Sequence, residues 1–223
     1  MIAGRDGVGL CNDVASGIND VDEDFGIDHR HHQRLPEKGD PGLFAHGHDF
    51  KAGKPDLVAK HRLYGDAFTW DFIGHLQSRK TKLVLPLVRL IHSVDSLSAV
   101  QELQRRTQKK VSVLLEVNIA GEDSKSGVPA AEVEAFLQAA SDVAMVDFSG
   151  LMCMPPLGDP AASARHFART RELAASLTES WRGRYTFDAL SMGTSSDYEA
   201  AVQEGATIVR IGSGVLFRQT LEG

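Results

Sequence analysis

Two cysteines in 223 residues, Cys11 and Cys153, leave nothing from which to build a disulfide framework. A reducing compartment is therefore expected. No apolar run reaches membrane-spanning length. The opening Met-Ile-Ala-Gly-Arg-Asp has neither the basic lead nor the apolar core of a secretory signal. These absences predict a cytoplasmic protein without a membrane partner. A basic excess is missing as well: 24 Lys and Arg against 30 Asp and Glu give a formal net charge of -6. That is the wrong sign for a chain whose main partner is nucleic acid. No glycine-rich dinucleotide fingerprint follows the first readable strand, which disfavours an open nucleotide-binding sheet. Hydrophobic residues make up 42%, enough for a core without covalent staples.

From about residue 68 onward, apolar runs alternate with helical patterns. Strands are predicted at 70–74, 90–94, 111–118, 144–152, 185–192 and 206–211. Helical spacing lies between them, at 76–88, from Leu97 through Leu103, at 161–177 and at 197–204. Pro129 is expected at a first helical position, with Val133, Phe136, Leu137 and Ala140 following at i, i+3, i+4 and i+7. Segment 111–118, VSVLLEVN, is nearly continuously apolar, as a strand buried on both faces should be. Six strands with helices between them give the rhythm of a parallel α/β protein, and a (β/α)8 TIM-type barrel fits it best. Residues 1–67 have another character. They are dense in Gly, Asp and His, carry DHRHHQR and AHGHDF, and show little periodicity, with 56–60 (DLVAK) the only candidate strand. The expected division is an atypical segment at 1–67, poorly ordered or unlike the rest, and a barrel portion at 68–223.

Chemistry concentrates near the C-terminus. In LSMGTSSDYEAA (190–201), a strand runs into Gly193, and Ser196 with Glu199 forms a capping-box pattern. The loop of Gly193, Thr194 and Ser195 thus feeds a helix start, where amides and the dipole suit phosphate. Arg210 closes the next apolar run, and Gly212 and Ser213 follow with open backbone. If the six strands are the last six of eight, these loops follow strands 7 and 8, where barrels often hold phosphate. The plainer alternatives are an ordinary turn, an ordinary cap and a salt-bridged arginine.

The stretches WDFIGHLQSRK (70–80), IHSVDS (91–96), VNIAGEDSKSGV (117–128), GLMCMPP (150–156), LSMGTSSDYEAA and TIVRIGSGVLF (207–217) together resemble the pyridoxal phosphate homeostasis family. Its members have the alanine-racemase-type N-terminal barrel. The resemblance covers about residues 70–217. It implies pyridoxal 5'-phosphate as the cofactor, with Arg210 facing the pyridine nitrogen. Thr194, Ser195, Gly212 and Ser213 would lie around the phosphate. It further implies a monomeric protein that binds and buffers the cofactor without catalytic turnover.

Two of the family's features are missing. Its first strand ends in a lysine, in a stretch like AVSK, that forms a Schiff base with the cofactor aldehyde, and its second strand carries a stretch like FGEN. Lys60 in DLVAK lies only ten residues before Trp70, too close to take the lysine's role. Lys80 and Lys125 are substitute candidates, each expected to be an ordinary solvated lysine. Asp71 stands where the family usually has histidine, and Thr194 where it usually has methionine. The barrel's first two strands are therefore expected to be missing or replaced by the atypical segment, as a wrong start or reading frame would produce. Low stability and poor solubility would follow, or recruitment of residues 50–65 as a makeshift strand. Two other functions compete. A metal site could use His29, His31 and His32, or His46, His48 and Asp49, although a solvated histidine-rich loop is favoured and no metal is expected. A racemase-like enzyme shares the fold but would need the lysine and a further domain.

Overall fold

The structure, a computed structural model, describes residues 9–12, 43–45, 56–64, 67–74, 78–122, 125–156 and 160–211. Its elements in chain order are β1 (Gly9–Asn12), β2 (Leu43–Ala45), α1 (Asp56–Tyr64), β3 (Thr69–Phe72) and α2 (Ser78–Val84). There follow β4 (Leu90–Val94), α3 (Leu97–Arg106), β5 (Val111–Asn118), β6 (Val128–Pro129) and α4 (Val133–Ala139). The last are β7 (Val146–Met152), α5 (Pro160–Ser180), β8 (Ala189–Thr194), α6 (Tyr198–Gln203) and β9 (Ile208–Ile211).

All strand pairings among the described residues are parallel, and they close on themselves. The order runs β4-β3-β2-β1-β9-β8-β7-β5, and β5 pairs back with β4. Strand β6 adds only a short pairing to the outer end of β5. This is the barrel that the alternating pattern predicted, with its first two strands at Gly9–Asn12 and Leu43–Ala45. Strand β1 pairs with β9 from Gly9↔Ile208 to Asn12↔Ile211, and β2 bridges β1 to β3.

Three expectations are corrected. Residues 56–60 are not a strand, and the described part of 50–65 supplies no makeshift one, because α1 occupies 56–64. Pro129 does not open a helix. It ends β6, and a single 3-10 turn at Ala130–Glu132 leads into α4. The strand expected at 185–192 starts only at Ala189, because Phe187 takes a left-handed φ of 53° that extended backbone excludes. Strands 90–94 and 111–118 have the predicted bounds.

Period-2 alternation sorts the strand residues into two layers. Ile91, Val113, Leu115, Leu151 and Val209 face outward and share one cluster with Val100, Leu103, Leu137, Phe167 and Leu177 of the helices. Their neighbours Leu90, Leu114, Met152 and Ile208 form a separate small cluster inside the ring, with Ile73 and Ala189 against it. Helix α3 illustrates why the outer layer forms. Ser96 caps its N-terminus by accepting from the Ala99 amide at 3.3 Å, Arg105 and Arg106 suit its C-terminal dipole, and buried Val100 and Leu103 face the sheet. Each buried aliphatic contributes roughly 1.5–3 kcal/mol.

Candidate functional site

On four strands the inward position two residues beyond the inner apolar cluster is polar. Leu90 gives way to His92, Leu114 to Glu116, Ala189 to Ser191 and Ile208 to Arg210, while Asp71 stands two residues before Ile73. Asp71, His92, Ser191 and Arg210 are all at most 1% exposed. On β4, β5, β8 and β9 the inner space is apolar first and polar further toward the C-terminal ends, where barrels of this kind place their chemistry, and Asp71 reaches the polar layer from β3.

Arg210 is held on three sides. Its Nη1 donates to the Ser191 carbonyl and to Ser191 Oγ, both at 2.8 Å, and its Nη2 donates to the Cys153 carbonyl at 2.8 Å. A buried guanidinium needs such partners. The pairing of β8 with β9 places Thr194 opposite Arg210. Ser195 begins the turn into α6. That turn depends on Gly193, whose φ of 90° suits glycine and where a β-carbon would lie 2.5 Å from that of Ala201. Ser196 does not cap α6 as the Ser-x-x-Glu pattern predicted. Asp197 is the N-cap residue. Its carboxylate turns back to accept from the Thr194 amide at 2.6 Å and the Thr194 hydroxyl at 3.0 Å.

Of the residues singled out in the sequence, Thr194, Ser195 and Arg210 come together at one end of the barrel. Gly212 and Ser213 lie outside the described residues, as do His29, His31, His32, His46, His48 and Asp49. Among the described residues, no group of three or more His, Cys, Asp or Glu could hold a metal ion, and no helix is long and apolar enough to cross a membrane. Strand β1 ends at Asn12, and the first lysine of the chain is Lys38. Lys125 is exposed, Lys60 lies on α1 and Lys80 on α2.

Asp71, His92, Ser191 and Glu116 were not singled out as a set. The available signal was a polar residue two positions from an apolar one in strands otherwise buried on both faces. Asp71 faces inward, and it is neutralised: Arg89 Nε and Nη2 reach its two oxygens at 3.0 and 2.5 Å. Burial opposes its charge, but the hydrogen bonds from His92 and Arg89 outweigh that and hold the carboxyl below its ordinary range. Burial pushes His92 down, so it is neutral at pH 7, and the 3.3 Å contact of Nε2 with Asp71 is a hydrogen bond between a neutral ring and a carboxylate. Burial likewise pushes the Cys153 thiol up to about 11, which makes it unreactive.

Glu116 is raised to about 7, first by burial and then by the Asp95 charge, with Arg210 pulling it back. A carboxyl raised on folding is protonated more readily in the folded chain, so its cost to stability grows as pH rises from the ordinary 4.5 toward 7. Urea melts should therefore show Glu116→Gln losing less stability between pH 5 and 8 than the unaltered chain, by about 2 kcal/mol. Equal slopes would mean that Glu116 is solvated. The depressed Asp71 acts in the opposite sense, but only below its ordinary 3.8, outside that window.

A closed parallel barrel with its polar residues gathered at the C-terminal strand ends defines a class, and residues 73–219 match the alanine racemase N-terminal domain family. The chain belongs to that family. It is 39% identical over 148 residues to the pyridoxal phosphate homeostasis protein of Aquifex aeolicus, covering 65% of this chain and 64% of that protein. It is also 39% identical over 150 residues to the protein of that name from Pseudomonas aeruginosa, covering 66% and 63%. The chain thus spans just under two thirds of the length of these curated relatives. Among solved structures, PipY of Synechococcus elongatus with pyridoxal phosphate bound matches at a TM-score of 0.63 and 32% identity, covering 71% of this chain and 76% of PipY. Alanine racemase from Corynebacterium glutamicum, 12% identical at a TM-score of 0.57, covers 76% of this chain and 45% of the racemase, and shares the fold alone.

Proposed function

We propose that the chain is a monomeric cytoplasmic protein that binds and buffers pyridoxal 5'-phosphate without catalytic turnover. Residues 68–223 carry the binding loops, and residues 1–67 are an atypical segment that lends two strands. The observation that carries this is Arg210, a buried guanidinium fixed at the C-terminal end of the last strand with Thr194 opposite and Ser195 beside it. The pyridoxal phosphate named in the PipY structure supports the same ligand.

The donor set fits that group. A guanidinium only donates, so Arg210 would hold a ring nitrogen as an unprotonated acceptor. The Ser195 hydroxyl, with Gly212 and Ser213 in the following stretch, would hold the phosphate. Thr194 contributes less than its position suggests, since its amide and hydroxyl both donate to Asp197. When bound, the cofactor supplies an aldehyde and an electron-withdrawing ring, and the ring withdraws less opposite an arginine than opposite a carboxylate. A weak electron sink suits storage better than turnover. With Asn12 at the end of β1, the chain holds the cofactor non-covalently.

Titration of the full chain with pyridoxal phosphate, followed by absorbance and fluorescence, should saturate at one equivalent and reverse on dialysis. Borohydride reduction followed by peptide mass spectrometry should leave no stoichiometric lysine adduct, and L-alanine should not racemise. No saturable binding would end the proposal. A single labelled lysine would end its non-covalent part.

A further inference from the structure

The barrel interior contains an unbroken line of hydrogen bonds from Arg89, whose side chain is 50% exposed, to Arg210. Arg89 donates to both oxygens of Asp71. Asp71 Oδ2 lies 3.3 Å from His92 Nε2, His92 Nδ1 lies 3.0 Å from Ser191 Oγ, and Ser191 Oγ accepts from Arg210 Nη1 at 2.8 Å. The carboxylate of Asp71, ionised beside Arg89, fixes the direction of the bonds that follow it. A guanidinium can only donate and an ionised carboxylate can only accept. Ser191 Oγ, already accepting from Arg210, has one hydrogen to give, and His92 Nδ1 is its nearest acceptor. The Asp71 carboxylate can only accept, so the facing Nε2 carries the one proton of the neutral ring, and the bare Nδ1 accepts from Ser191. The opposite tautomer would set a bare nitrogen against a carboxylate at 3.3 Å. A doubly protonated ring would turn an Nδ1–H toward Ser191 Oγ, reversing that bond, and would set a second buried cation near Arg210.

We infer that Asp71, His92 and Ser191 are positioning residues, a one-way hydrogen-bond chain that fixes the guanidinium plane of Arg210 and so sets the chain's grip on its ligand. The chain needs both arginines and all three polar residues between them, and Asp71, rather than the histidine usual in the pyridoxal phosphate homeostasis family, is the residue that anchors it. Ser191 grips Arg210 twice, by carbonyl and by hydroxyl, so loss of the hydroxyl leaves the arginine in place with one fewer restraint. The bond geometry stands by itself, and the effect on ligand binding rests on the pyridoxal phosphate reading above.

Two measurements on the full chain test it. In the ligand-free protein, two-bond proton–nitrogen correlation of the imidazoles, with His92 assigned by His92→Gln, should show His92 as the Nε2-protonated neutral tautomer. An Nδ1-protonated or doubly protonated ring would overturn the chain. Ser191→Ala should then weaken pyridoxal phosphate binding on the order of ten-fold, and this effect should disappear when Arg210 is already methionine. A loss of the same size in that background would mean that Ser191 acts otherwise than through Arg210, and would overturn the positioning role. If the unaltered chain binds no pyridoxal phosphate, the ligand assignment and the positioning effect on it fail, and the tautomer still decides whether the one-way chain exists.

Discussion

Arg210→Met should weaken pyridoxal phosphate binding by about 30- to 100-fold and destabilise the barrel by roughly 3 kcal/mol. The two effects have separate causes. Methionine fills much of the volume but donates nothing, so the carbonyls of Ser191 and Cys153, each at 2.8 Å from the guanidinium, lose a charged donor inside the barrel. Orphaned acceptors account for the stability loss. The affinity loss comes from the missing donor toward the ligand's ring edge, a charge-assisted bond in a site from which most water is excluded. Urea melts and a fluorescence titration at one pH separate the effects. The Glu116 carboxyl should also titrate higher in this variant, because the Arg210 charge now holds it down. Unchanged affinity in a folded Arg210→Met chain would place the ligand elsewhere.

Gly150→Ala should abolish folding, or cost more than about 4 kcal/mol, although it adds a single methyl group. Gly150 pairs with Ala189 between β7 and β8, and the strands approach so closely there that a β-carbon would lie 1.8 Å from the Ala189 carbonyl oxygen and 2.6 Å from its carbon. Those atoms are backbone on both sides, so no rotamer change can relieve the clash. Moving the strands apart would displace Cys153, whose carbonyl holds Arg210, and Ser191, two residues beyond Ala189. Circular dichroism with urea unfolding checks this. A soluble variant within 1 kcal/mol of the parent would show that β7 and β8 do not meet at this register.

How much could be read from the chain varied with the kind of signal. Strands β4 and β5 were legible to the residue because apolar residues fall on both of their faces, as in a strand covered on both sides. Strands β1 and β2 were not, because four and three residues embedded in Gly- and Asp-rich sequence carry no period. Arg210 was legible because a charge at the end of an apolar strand demands an explanation. Asp71, His92 and Ser191 were harder to see, since their meaning depends on three different strands meeting inside a ring. The Ser196 cap failed for a local reason: the turn runs one residue further, so that Asp197 holds the N-cap position while its carboxylate binds back to Thr194.

The closure of the ring also has a kinetic side. Gly9 pairs with Ile208, and Cys11 pairs with Arg210 itself, so the barrel's first strand must wait for nearly the whole chain before it finds its partner. Among the described strands β9 leaves the ribosome after all the others, and contacts of such sequence separation form late because the intervening loop must first be closed. Until then, Ser191 and the Cys153 carbonyl have no guanidinium to receive. The final strand therefore completes the barrel and its buried polar line in one event, and a nascent chain stalled before Val209 would have neither.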